Sequence, residues 1–82
     1  MTDREVARKR INQRLEAMGL PANAVQEKSI DNLQLPVIAM EYDRTKREAE
    51  RTQEAGDQLL FRVWEIIYEE ALRYREGVAM ED

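Results

Sequence analysis

Eighty-two residues without cysteine or histidine carry a formal net charge of −4, with 37% charged and 43% hydrophobic side chains. This composition supports one folded domain at most and argues against wholesale disorder. It excludes disulfide or thiolate staples, the commonest general base and the commonest neutral metal ligand, leaving oligomerisation as the usual supplement to so small a core.

Charge is unevenly distributed. Residues 1–18 hold five basic and three acidic side chains, whereas residues 57–82 hold three basic and seven acidic ones. A basic head and an acidic tail can attract each other or meet separate partners.

The chain opens with a helix-start signature. Thr2 or Asp3 can cap, and Glu5 stands three residues after Thr2 as in a capping box. Val6, Ala7, Ile11, Leu15 and Met18 then recur at three- and four-residue steps, so one stripe faces inward. Gly19 follows where a left-handed C-cap belongs, with Leu20 available for the contact beyond it. The first helix is expected over residues 3–18.

Residues 19–36 read as a connector with a short helix, Pro21 occupying its first turn. Ser29-Ile30-Asp31-Asn32 is expected to break that helix, because these polar side chains compete for backbone hydrogen bonds. Leu33, Leu35 and Val37 alternate with polar residues and proline, the period of an extended segment tucked against the core.

No proline follows Pro36, and residues 37–76 can be written as one long or kinked helix, with residues 77–82 as a tail after Gly77. Ile38, Tyr42, Thr45, Ala49, Thr52, Gly56, Leu59, Val63 and Ile66 keep an unbroken four-three spacing. The small middle of this seam would let another helix approach closely. Gly56 costs about 1 kcal/mol relative to Ala inside a helix and marks the place for a kink or break. Opposite charges at Asp43 and Arg47, Arg44 and Glu48, and Lys46 and Glu50 would support the polar middle.

The most apolar run is Leu59 to Tyr74, reading LLFRVWEIIYEEALRY. On a helix its apolar side chains sweep about 240° of the circumference, against the stripe of somewhat over 100° that a one-sided amphipathic helix needs. Two-sided burial follows. Leu59, Val63, Ile66 and Ile67, with Trp64, can pack on the first helix and the Ile38 region. Leu60, Phe61, Trp64, Ile67, Tyr68, Ala71 and Leu72 then form the candidate interface for a partner or a second copy about a two-fold axis.

Arg4, Arg8, Arg10 and Arg14 recur along the first helix and could neutralise phosphates, with Asn12 and Gln13 beside them. A solvated face is the commoner use of such a cluster, and the acidic balance of the whole chain favours it. Glu65, Glu69 and Glu70 read as a solvated face neutralised by Arg62 and Arg73, since no histidine can complete a helical carboxylate metal site. Ser29 is the single serine and lacks a histidine or cysteine to work with, and the glycines are too scattered for a phosphate loop.

These readings combine into an all-α fold, a small hairpin-like protomer with a long C-terminal helix, forming a homodimer. The expected function is a non-enzymatic protein–protein interaction module, such as a small adaptor, inhibitor or regulator. It would use no cofactor, metal or small-molecule substrate. The alternative is a nucleic-acid-binding regulator using the Arg-rich first helix. With no apolar run of membrane-spanning length and no signal-peptide core in Met1 to Leu20, a cytoplasmic location is expected.

Overall fold

The computed structural model describes residues 3–76, with side chains for residues 4–74. Among them are four helices and no strand: α1 (Asp3–Ala17), α2 (Ala24–Asn32), α3 (Leu35–Thr52) and α4 (Ala55–Glu76). The cap assigned to Thr2 or Asp3 and the tail after Gly77 lie outside the described side chains.

The end of α1 follows the expectation from sequence. Gly19 takes φ +66°, its N–H bonds the Glu16 carbonyl at 3.0 Å, and the Leu20 N–H reaches the Leu15 carbonyl at 2.9 Å. This paired closure satisfies carbonyls that the helix end would otherwise orphan. Ala7, Ile11 and Leu15 are buried along one stripe, while Met18 is exposed.

The connector is more helical than its sequence suggests. Pro21 lies ahead of α2, whose cap is Asn23: its side chain accepts from the Gln26 N–H at 2.8 Å, and the Gln26 side chain accepts from the Asn23 N–H at 2.9 Å. This capping box starts the helix without a proline in its first turn. Nor does Ser29-Ile30-Asp31-Asn32 break α2. Ile30 is buried in the core, and that packing outweighs the local competition from polar side chains. Leu33 ends α2 in a left-handed conformation at φ 46°, and Leu35 begins α3 with Pro36 in its first turn, so the extended reading of residues 33–37 fails. Leu33 is buried and Leu35 half-buried, as expected for residues tucked against the core.

The largest departure is the single helix over residues 37–76. The chain turns back at Gln53, which adopts φ 56° and donates its N–H to the Ala49 carbonyl at 3.1 Å. Gly56 lies beyond this turn, inside α4. The turn is stitched by the Gln58 side-chain amide on the Ala49 carbonyl at 2.7 Å and by the Thr52 hydroxyl on Asp57 at 2.5 Å. A straight helix over residues 37–76 would extend about 60 Å. Folding back lets α3 cover α4 instead, within extents of 40 × 25 × 22 Å.

The resulting α3–α4 pair is an internal helical hairpin, and α1 packs on another side of α4. The small residues of the seam act as expected, though toward α4 of the same chain: Thr45 and Ala49 are buried. The Thr45 hydroxyl satisfies itself on the Glu41 carbonyl at 2.7 Å. Beyond the turn the seam is interrupted, with Gly56 exposed and Leu59 53% exposed, before Val63 and Ile66 are buried again. Val63, Trp64, Ile66, Ile67 and Ala71 form the α4 contribution to the core, meeting Ile11, Leu15, Ile30 and Ile38.

Candidate functional site

The expected interface residues divide into two sets. Trp64, Ile67 and Ala71 lie inside the chain's own core at 1%, 0% and 2% exposure, so they do not form an outward flank. The wide apolar sector of α4 is buried on two sides, and α1 and α3 supply much of that cover within one protomer. Leu60, Phe61, Tyr68 and Leu72 are half-buried and remain partly open to solvent.

Two of the half-buried residues belong to an aromatic ladder that joins α3 to α4. Tyr42 stacks on Tyr68 with ring centroids 4.6 Å apart and meets Phe61 in a tilted arrangement at 5.6 Å. Phe61 and Tyr68 are seven residues apart on one face of α4, so a single ring from α3 can lie between them. Such pairs stabilise an arrangement beyond the area they bury.

At one end of the ladder lies a groove of about 430 Å³ lined by Leu33, Leu35, Pro36, Ala39, Tyr68, Ala71 and Tyr74. Every lining side chain is apolar or aromatic. The α2–α3 corner supplies one wall and the second half of α4 the other. Pro36 and Met40 are one helical turn apart, as are Val37 and Met40, so the apolar surface continues onto the outer face of α3. There Met40 is 62% exposed and Val37 40% exposed. Tyr68 and Ala71 were already in the expected interface, whereas Leu35, Ala39, Tyr74 and Met40 were not. Their signal was obscured because they come together only when α3 and α4 fold against each other.

The Arg-rich helix is tied to the rest of the chain through its arginines. Arg10 donates from Nε to Glu70 at 2.9 Å, and Arg14 donates to Glu70 at 2.8 Å and to Glu69 at 2.8 Å. The Glu70 side chain is only 2% exposed. Burial works against the Arg14 charge, but the hydrogen bonds to Glu69 and Glu70 outweigh it and hold its guanidinium above the ordinary value. Arg8 lies 3.5 Å from Asp31 across an exposed gap, and Arg4 is exposed. Three of the four arginines that could neutralise phosphates therefore have carboxylate partners within the chain, and two of these share the buried Glu70.

The carboxylate face is corrected in the same way. Glu65 pairs with Arg62 and Glu69 with Arg14, as an ion-paired surface requires, but Glu70 points into the α1–α4 contact. Its spacing beside Glu69 concealed this difference. Among the described residues no group of three or more histidine, cysteine, aspartate or glutamate side chains is arranged to hold a metal ion. No helix among them is long and apolar enough to cross a membrane. Comparison with protein-family models, curated proteins and solved structures finds no match.

Proposed function

We propose that the protein is a non-enzymatic protein–protein interaction module, a small adaptor, inhibitor or regulator working in the cytoplasm. Its docking surface is the groove between the α2–α3 corner and α4, with Val37 and Met40 beside it. The observation that carries this reading is the groove's predominantly apolar, tyrosine-containing lining next to a 62%-exposed Met40. Tyrosine-lined depressions flanked by flexible apolar side chains suit the burial of an apolar helix face. The occupant we assign is a second copy, packed about a two-fold axis so that each protomer offers both a groove and an exposed Met40. The absence of histidine and cysteine, with Ser29 half-buried in α2, supports binding without chemistry.

Light scattering on the purified protein across a concentration series tests this directly. The expected result is a dimer that Ala39→Arg converts to monomer with helix content intact. A wild-type protein that stays monomeric throughout the series would remove the second copy as occupant. A photo-crosslinker at Met40 would then have to join one discrete protein in the native source, and lose it on Ala39→Arg, for the binding function to stand.

A further inference from the structure

The buried carboxylate of Glu70 lies apart from the docking groove. It is held by two arginines that both come from α1, at 2.9 and 2.8 Å. We propose that α1 is a releasable cover on the α3–α4 hairpin, latched by Glu70, and that breaking the latch opens α1 as a unit and uncovers the apolar face of α4 beneath it. This inference is independent of what occupies the groove.

The argument begins with how each helix is held. α3 and α4 share Ile38, the stacked Tyr42 and Tyr68, the close-packed Ala49, and the two side-chain bonds that stitch their turn. α1 offers a thinner apolar stripe, Ala7, Ile11 and Leu15, and leads through Gly19 into an irregular segment before α2. It also packs on α2, and its remaining hold on α4 is the ion pairs of Arg10 and Arg14. Val63, Ile66 and Ile67 precede Glu70 by seven, four and three residues, so they share its helix face.

The geometry makes the latch close to all-or-none. With its side chain 2% exposed, Glu70 has its charge balanced by two guanidiniums that α1 supplies. Once they withdraw, an ionised carboxylate is left against apolar neighbours, and the favourable outcome is for water to enter and α1 to leave. Arg10 and Arg14 are themselves 27% and 33% exposed, so solvent or a competing anion can reach the latch from outside.

Hydrogen exchange under native conditions, followed helix by helix in increasing urea, tests this on the unaltered protein. The amides of Ala7 to Leu15 should exchange through an opening smaller than the one that exposes Ile38 to Ala49 and Val63 to Ala71. If all three segments share one global opening at every urea concentration, the proposal is overturned. Glu70→Gln preserves shape and removes charge. It should lower α1 protection at least about tenfold relative to α3 and α4, because a lost charge-assisted hydrogen bond exceeds the free energy of one decade. Unchanged protection, or an equal fall in every helix, would also overturn it. If Glu70→Gln does not fold, the urea series on the unaltered protein decides alone.

Discussion

Individual side chains show how far an apolar pattern can be read. Trp64 and Leu59 both belong to the conspicuous apolar run, yet Trp64 is 1% exposed and Leu59 is 53% exposed. Periodicity identifies the oily side of a helix but does not say which part of it finds a neighbour. Trp64→Ala should therefore cost about 3–5 kcal/mol by chemical denaturation followed with circular dichroism, because it empties a buried volume. Leu59→Ala should change stability by no more than about 0.5 kcal/mol, despite its place in the four-three seam. On the surface, the hydrogen bond from Arg44 holds the Glu41 carboxyl below its ordinary value. A depressed carboxylate contributes stability above its unfolded pKa and loses it as pH falls through the folded one. Glu41→Gln should accordingly lower stability by a few tenths of a kcal/mol at neutral pH, since this pair is largely solvated, and the difference should vanish in acid.

Helix boundaries were legible where local chemistry sets them and hidden where tertiary packing does. Gly19 announced the end of α1 because its left-handed backbone suits a residue without a side chain. Gln53 gave no comparable signal: it takes the same region with an ordinary side chain, held there by the hairpin on either side. The two described glycines should respond in opposite directions in thermal or urea unfolding. Gly19→Ala should destabilise by about 1 kcal/mol through backbone strain alone, as a Cβ there would meet nothing within 4 Å. Gly56→Ala, in the first turns of α4 and equally uncrowded, should stabilise by about 0.4–1 kcal/mol. Asn23→Ala would remove half of the capping box and should cost about 1 kcal/mol.

For the whole molecule, the decisive event is the reversal at Gln53. Spin labels at Val37 and Glu69 would lie about 48 Å apart along one uninterrupted helix. In the antiparallel pair they should fall within roughly 20 Å, given ordinary interhelical spacing. A measured separation near the longer value would refute the hairpin. The reversal also changes how the C-terminal apolar run is covered. Its two sides meet α1 and α3 of the same chain, which leaves a smaller apolar surface, around Leu35, Met40, Tyr68 and Tyr74, open to solvent.

The sequence by itself determined the helical class, the stripe along α1, its glycine closure and the need to bury α4 on more than one side. Each of these depends on residues close together in the chain, where backbone preference and the helical repeat act directly. Only the tertiary structure decided that α3 and α4 separate at Gln53, that Glu70 turns inward to the arginines of α1, and that Trp64, Ile67 and Ala71 are core. The physical reason is that burial depends on what arrives opposite a residue, and in this chain the covering groups lie tens of positions away.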